Sequence, residues 1–264
     1  MYCRKCGKEL RGNSRYCRAC GTRIDEHKSG AIATDGGLPY DIKGRVPWNV
    51  GDTLKALLIS VVIETFAVFL LFFIFKNPLN FTFILLSQLV ASSVTLVVVW
   101  LYAIRKYKAP FKSLGLILSF SVGQFFLVIF AWMASLGLSA GYDAILFILT
   151  NERPPQQPIM EIFGENIVLA YIVIVVIAPI TEEIFFRGFL YSAFRDKLGV
   201  TYGVIISSTI FAAVHVIPLL FVPLFIIGAA LALLFEQKRS LVAPILMHAL
   251  NNAMALSVIY IYNI

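Results

Sequence analysis

Six polar side chains interrupt apolar stretches in the second half of the chain and could carry out chemistry. They come in three short patterns, E-E-x-x-x-R, F-x-x-x-H and H-x-x-x-N. Their polar members are Glu182, Glu183, Arg187, His215, His248 and Asn252. A charged group at the centre of a membrane helix costs roughly 2.5–3.5 kcal/mol on insertion scales, so such groups are rare and usually functional. The set indicates a polar site inside a membrane.

Helical spacing predicts how the first pattern is arranged. Glu183 and Arg187 are four residues apart, so they share a helix face and can pair. Glu182 points about 100° away from Glu183, which leaves its carboxylate free to face a cavity. Phe211 and His215 in the second pattern are also four residues apart, and so are His248 and Asn252 in the third. Three helices could therefore turn a carboxylate, two imidazoles and an amide toward one point.

That combination of groups is suited to hydrolysis. A desolvated carboxylate can act as a general base toward water, and a neighbouring histidine can orient the water or move its proton. A second histidine and an amide N–H can donate to the oxyanion of a tetrahedral intermediate. The predicted reaction is hydrolysis of a peptide or other acyl bond in or beside the membrane. Taken singly, a Glu–Arg pair can be helix–helix glue and a buried histidine can be structural.

The composition predicts the elements that must position these groups. The chain has 264 residues, of which 59% are hydrophobic and 14% charged, whereas soluble domains average about 25% charged residues. A membrane helix needs about 20 mostly apolar residues. Several apolar segments meet this requirement, and we count seven spans, at about 54–75, 81–103, 113–138, from about 166 into 181–197, and at 202–217, 218–235 and 242–260. We expect an all-α polytopic membrane protein of seven spans, or eight if 142–165 dips into the bilayer; part of that region, 142–150, could form a short interfacial helix.

The distribution of basic residues predicts the orientation. Lys and Arg concentrate in the N-terminal segment, at 105–112, at 195–197 and at 238–239, and seven spans put all four on one side. Basic loops mark the cytoplasmic side, so the N-terminus is expected there and the acidic 139–165 loop outside. The basic N-terminus could also suggest nucleic acid, but the membrane explanation is favoured.

Four cysteines in the first 22 residues predict a small metal-binding module. Cys3, Cys6, Cys17 and Cys20 form a C-x2-C-x10-C-x2-C pattern. Four thiolates in a tetrahedron suit structural zinc, and so small a unit would depend on the metal to fold. Disulfides or iron are alternatives, and a reducing cytosol argues against disulfides. We predict a zinc ribbon at 1–22, a flexible linker at 23–47 and a helical domain at 48–264.

Two sequence features leave choices open. Counted along the chain, His215 lies about 20 Å from the basic end of its span and His248 only about 10 Å. Either the helices tilt or the 193–203 turn sinks into the bilayer.

Glu64 is an isolated charge in the first span. We expect it to have a structural role in holding helices together, with Gln88 and Gln124 as candidate partners.

The order and spacing of the three patterns resemble the CPBP family of intramembrane proteases, also called Abi proteins, which includes the CAAX prenyl endopeptidases. The resemblance covers roughly residues 48–260 and implies that Glu182 and His215 activate water while His248 and Asn252 form the oxyanion hole. It also implies that Glu183 and Arg187 support them. The family has been described both as metalloproteases and as glutamate-dependent proteases. Metal-free catalysis is favoured because Glu182 and His215 suffice as a base pair and an asparagine is a poor zinc ligand.

The leading hypothesis is thus an endopeptidase in a prokaryotic plasma membrane that cleaves a membrane-anchored or hydrophobic peptide, prenylated or not. One alternative is a non-catalytic scaffold or a bacteriocin-immunity type of protein that keeps the polar core for packing. Another is a proton-coupled transporter, although no pair of Gly- or Pro-broken helices of the transporter type is evident. The ribbon could recruit a protein partner, sense metal or act as a tether.

Overall fold

The computed structural model describes residues 45–77, 81–151 and 166–262, and side chains as far as residue 258. The predicted ribbon at 1–22 and all but the last three residues of the linker at 23–47 lie outside these ranges. The described residues belong to one compact unit, Leu38–Ile264. The domain boundaries therefore stay predictions.

The described residues form helices and turns, with no strand among them, so the all-α prediction is confirmed. The main helices are α1 (Val50–Phe75), α2 (Phe81–Val99), α3 (Val122–Thr150), α4 (Ile167–Leu198), α5 (Val200–Val214), α6 (Phe221–Lys238) and α7 (Val242–Tyr262). A π-helical turn, Trp100–Arg105, extends α2, and 3₁₀ turns cover Phe111–Leu114 and Pro218–Leu220. Asn49 caps α1 by accepting a hydrogen bond from the Asp52 backbone N–H at 3.0 Å.

Five of these helices are long and apolar enough to cross a membrane, namely α1, α2, α3, α4 and α6 with its preceding turn. The other two predicted spans form shorter apolar helices. These are Val200–Val214 in α5 and, as far as side chains are described, Val242–Val258 in α7. The 15 residues of α5 reach only about 22 Å at 1.5 Å per residue, against a hydrocarbon core of about 30 Å. Because α5 stops at Val214, His215 lies at a helix end rather than within a complete span.

The third helix differs from the prediction at both ends. It begins at Val122 rather than near 113, behind a capping box formed by Ser121 and Gln124, and it runs unbroken to Thr150. The expected separate helix at 142–150 is therefore wrong. So is the expectation that Gln124 acts as a partner of Glu64, because its side chain caps its own helix.

Residues 111–119 are apolar but make a packed loop instead of a helix. Gly115 has a φ of +79° and its carbonyl accepts from the Leu241 N–H at 2.9 Å, while the Ile117 carbonyl accepts from Ser240 Oγ at 2.7 Å. These partners lie more than 100 residues away in the chain. Hydropathy alone could not reveal them, and that is why the boundary was misplaced.

Three of the four basic segments, at 105–112, 195–197 and 238–239, lie among the described residues, and they lie at one end of the helical unit. The N-terminal basic segment lies outside the described residues apart from Arg45. Three long-range contacts are found at this end: Lys106 Nζ to Asp52 Oδ1 at 2.7 Å, the Val46 N–H to Asp196 Oδ2 at 2.7 Å, and Arg195 Nη2 to Glu236 Oε1 at 2.9 Å. The hydrogen bond to Asp52 raises the pKa of Lys106, while burial and then Asp52 raise the pKa of Tyr107 beside it. The side of the membrane that this end faces stays a prediction.

Helix α4 departs twice from regular α-helical geometry, with π-helical stretches at Ile172–Ile177 and Ile184–Tyr191. Such stretches are frequent at functional sites, and here they flank the two adjacent glutamates. Within the second stretch the Phe189 carbonyl accepts from Trp48 Nε1 at 2.9 Å. Trp48 is 3% exposed, so it packs against α4.

Gly188 provides a test of how closely the 111–119 loop packs on α4. A Cβ at this position would lie 2.5 Å from the Leu114 carbonyl oxygen, so Gly188→Ala must push the two segments apart. We expect a loss of about 1–3 kcal/mol in the free energy of unfolding, as for other overpacked positions. Thermal unfolding in detergent would measure it.

The matched control is Gly137→Ala on α3, where a Cβ would meet no atom of the described residues within 4 Å. Equal stabilities of the two variants would contradict the packing seen at Gly188.

Candidate active site

The site is organised around Glu183, which lies in the middle of α4 and is fully buried. Its Oε1 accepts hydrogen bonds from Arg187 Nη1 at 2.7 Å and from His248 Nδ1 at 2.8 Å. The i,i+4 pairing expected between Glu183 and Arg187 is thus present. The contact with His248 joins α4 to α7 across 65 residues of sequence, and helical spacing alone did not predict it.

Arg187 is 1% exposed and is held by contacts from α5 and α6. Its Nη2 donates to the Gly228 carbonyl at 3.1 Å, and its guanidinium lies 4.6 Å from the centre of the Phe211 ring. An arginine over an aromatic face gains cation–π attraction, which is larger where water is excluded. Gly228 permits this arrangement, because a Cβ there would lie 3.2 Å from the Phe211 ring. Gly228 was not among the predicted site residues. The sequence marks it only as a glycine within an apolar helix.

Glu182 faces a different environment from its neighbour. Its side chain is 27% exposed, and its Oε2 lies 3.8 Å from His248 Nε2. That oxygen has no hydrogen-bond partner among the described residues. The distance is too long for a direct hydrogen bond, so the carboxylate is free to accept a proton from a third group. The sequence predicted this division between a buried, paired glutamate and a free one.

His248 therefore sits between two carboxylates. A carboxylate oxygen can only accept, so the bond to Glu183 places a proton on Nδ1 and turns Nε2 toward Glu182. As an imidazolium, His248 would have a second N–H to offer to a developing oxyanion. The hydrogen bond from Nδ1 to the buried Glu183 holds the ring in this orientation.

His215 lies just beyond the end of α5. Its Nδ1 is 2.7 Å from the Phe211 carbonyl, which can only accept, so the proton lies on Nδ1 and the neutral ring keeps a lone pair on Nε2. The rings of His215 and His248 both contact Phe211, with centroid distances of 4.8 and 5.9 Å. The two imidazoles thus approach one aromatic ring despite their predicted difference in depth. Among the described residues no hydrogen bond or ion pair joins His215 to Glu182.

Asn252 bonds to the backbone of α4. Its Nδ2 donates to the Ile174 carbonyl at 2.9 Å. In this π-helical stretch the Ala178 N–H bonds to the Val173 carbonyl, five residues back. In the same five-residue register the Ile174 carbonyl would accept from residue 179, but Pro179 has no N–H. Asn252 therefore donates to this carbonyl instead. One amide hydrogen remains for an oxyanion, so the expected role of Asn252 is still available but is shared with a structural one.

The described residues contain no group of three His, Cys, Asp or Glu side chains placed to hold one metal ion. Glu182, Glu183 and His248 come closest together, but Glu183 is already engaged by Arg187 and His248. The site residues described thus do not form a three-ligand metal centre. The four cysteines expected to bind zinc lie outside the described residues.

The fold and the site define the class: a helical membrane protein with paired glutamates and two histidines in a buried polar site. Residues 164–254 match the family described as Type II CAAX prenyl endopeptidase Rce1-like, and residues 2–24 match the zinc-ribbon domain. The first range contains all three sequence patterns. The resemblance to CAAX proteases and the N-terminal zinc ribbon, both predicted from sequence, are confirmed.

One curated relative is a protein of Bacillus subtilis (strain 168) named "Putative membrane peptidase YdiL". It is 27% identical over 140 residues, which cover 53% of this chain and 55% of that protein. The chain thus spans about half the length of the curated relative it matches. No solved structure matches this chain.

Proposed function

We propose that this protein is an intramembrane endopeptidase that hydrolyses a peptide bond of a membrane-associated substrate. The match to the CAAX prenyl endopeptidase family and the similarity to a membrane peptidase support a membrane protease. One observation carries the assignment to hydrolysis. The partly exposed Glu182 carboxylate has a free oxygen 3.8 Å from an imidazole that the buried Glu183 holds in place.

In this proposal Glu182 is the general base and His215 assists it. The water oxygen attacks the carbonyl carbon of the scissile bond while Glu182 takes the water proton. The Nε2 lone pair of His215, left free by the bond from Nδ1 to the Phe211 carbonyl, orients the water or moves the proton onward. The proton finally goes to the leaving nitrogen as the C–N bond breaks.

His248 and Asn252 are proposed to stabilise the oxyanion. His248 donates from Nε2, and its charge is supported by Glu183 behind it. Asn252 donates its second amide hydrogen, because the first is bound to the Ile174 carbonyl. Removing one such donor typically costs about 10²–10³ in rate. Glu183 and Arg187 position the site and do not touch substrate.

The proposed substrate is a hydrophobic or membrane-anchored peptide, prenylated or not. The apolar helices around the site make an aqueous peptide a poor fit. We also propose a prokaryotic plasma membrane location with the ribbon on the cytoplasmic side, because the basic segments at 105–112, 195–197 and 238–239 lie at one end and the N-terminal segment is basic in sequence. Zinc held by Cys3, Cys6, Cys17 and Cys20 would fold the ribbon, which could then recruit a protein partner.

The proposal is tested by reconstituting the full chain into liposomes with a panel of fluorogenic peptides, each anchored by an apolar helix, an acyl chain or a farnesylated CAAX end. Wild-type protein should cleave at least one of them. We expect His215→Ala to lower kcat by about 10²–10⁴ with little change in KM, the usual contribution of general acid–base groups.

The matched control is His27→Ala, which replaces the one histidine outside the three patterns. It should cleave at the wild-type rate. Equal rates for His215→Ala and wild type would contradict the role given to His215, and a wild-type protein inert toward every peptide would favour a non-catalytic scaffold.

A further inference from the structure

A line of polar side chains runs between α1, α2 and α4, in a region otherwise apolar. Glu64 Oε1 on α1 accepts from Thr95 Oγ1 on α2 at 3.0 Å. One turn earlier on α2, Ser92 Oγ lies 3.3 Å from Thr181 Oγ1 on α4 and 3.5 Å from Gln88 Nε2. The partner of Glu64 is thus Thr95, not Gln88 as the sequence suggested. We call these five residues the polar seam.

The polar seam leads to the candidate active site. Thr181 immediately precedes Glu182 in α4. Ser92 and Thr95 are three residues apart, so they lie on the same face of α2. The seam therefore connects a partly exposed acid on α1 to the general base proposed above.

Two buried polar atoms flanking the seam lack a hydrogen-bond partner among the described residues. They are the Oγ of Ser60, one turn before Glu64 on α1, and Oε2 of Glu182. Leaving such an atom unsatisfied in an apolar interior costs about 1–3 kcal/mol in proteins. Buried water molecules bonded to two to four polar groups are the usual remedy. Hydroxyls, an amide and two carboxylates in one line provide those groups.

On the α5 side of the site Phe211 contacts His215, His248 and Phe186, with ring centroids 4.8, 5.9 and 5.1 Å apart. The polar seam lies on the side of α4 that faces α2. Hydrolysis consumes one water molecule per bond, and a site surrounded by hydrocarbon needs a hydrated route.

We propose that the polar seam between α1, α2 and α4 is hydrated and delivers the attacking water to Glu182, with Glu64 holding water at its outer end. The proposal rests on the proposed function for the use of the water, but hydration of the seam is a property of the fold. Glu64 is thus a positioning residue that acts through water on Glu182.

Hydration can be measured without any substrate. The native cysteines all lie in the first 22 residues, so Glu64→Cys and Thr95→Cys each introduce one thiol into the membrane region. The reagent is 2-aminoethyl methanethiosulfonate, a small hydrophilic thiol reagent, applied to full-length protein in liposomes, with site-resolved mass spectrometry as the readout. The matched control is Val97→Cys, on the opposite face of α2 from Thr95 and 55% exposed toward lipid.

Because only a thiolate reacts and apolar surroundings suppress its formation, we expect both seam thiols to react at least about tenfold faster than Val97→Cys. Equal rates at all three positions would overturn the hydrated seam even if the protein hydrolyses peptides. Fast labelling in a protein that cleaves no peptide would support the seam and count against the proposed function instead.

The role of Glu64 itself has a separate readout. Glu64→Leu should lower kcat by about tenfold or more at unchanged KM, and Glu64→Gln, which can still bond water and Thr95, should recover most of the rate. A wild-type kcat for Glu64→Leu, or no recovery in Glu64→Gln, would overturn this role.

Discussion

Replacing Glu182 with glutamine is expected to lower the rate of peptide hydrolysis by about 10⁴-fold, the upper range for loss of a general base. Glutamine has the same shape but cannot take a proton from water. Because the Glu182 side chain is 27% exposed and makes no direct hydrogen bond through Oε2, the variant should fold as well as wild type. The measurements are the initial rate in liposomes and the melting temperature of the same preparation.

The control for Glu182→Gln is Asp143→Asn, which removes an acid from α3. No described hydrogen bond or ion pair links Asp143 to the site, so that variant should keep wild-type activity. A folded Glu182→Gln protein that cleaves at the wild-type rate would exclude the proposed mechanism.

The second large effect is expected for Arg187→Met, and it falls on stability. Glu183 would keep its fully buried carboxylate but lose the guanidinium 2.7 Å away. Breaking a buried pair by removing one partner typically costs about 3–5 kcal/mol, because the remaining charge is left uncompensated. We expect a correspondingly lower free energy of unfolding in detergent micelles, together with loss of the cation–π contact to Phe211.

The double variant Glu183→Gln, Arg187→Met separates charge from packing. It removes both charges, and replacing a buried pair by neutral groups is often close to neutral for stability. It should therefore unfold at higher denaturant concentration than Arg187→Met while remaining poorly active, since Glu183 no longer supports a charged His248. A double variant no more stable than the single one would show that the pair matters mainly through packing.

The two glutamates illustrate what could be predicted for the site. The separation of Glu182 from Glu183, and the pairing of Glu183 with Arg187, depend only on the 100° step of one helix, and both are present in the structure. The partner of His248 could not be predicted in this way. It comes from α7 packing against α4, and no periodicity along either helix specifies which residues of two helices meet.

The same limit explains the departures from expectation. Asn252 was predicted as an oxyanion donor, yet one of its hydrogens bonds to the Ile174 carbonyl, which has no donor from Pro179 in its π-helical register. Trp48, just before the first helix, is buried against Phe189 of α4. Both contacts join residues at least 78 positions apart. They depend on helix packing rather than on local pattern.

The sequence by itself determined that this is a helical membrane protein with three polar patterns on apolar helices, because span length, helical spacing and the cost of charge in lipid are properties of short segments. It also determined that Glu183 and Arg187 pair, because they are four residues apart on one helix. Only the tertiary structure decided that His248 is held by Glu183, that α5 ends at Val214 just before His215, and that Glu64 joins the polar seam beside Glu182. Each of these depends on which helices pack together, since side chains distant in the chain meet only when their backbones do.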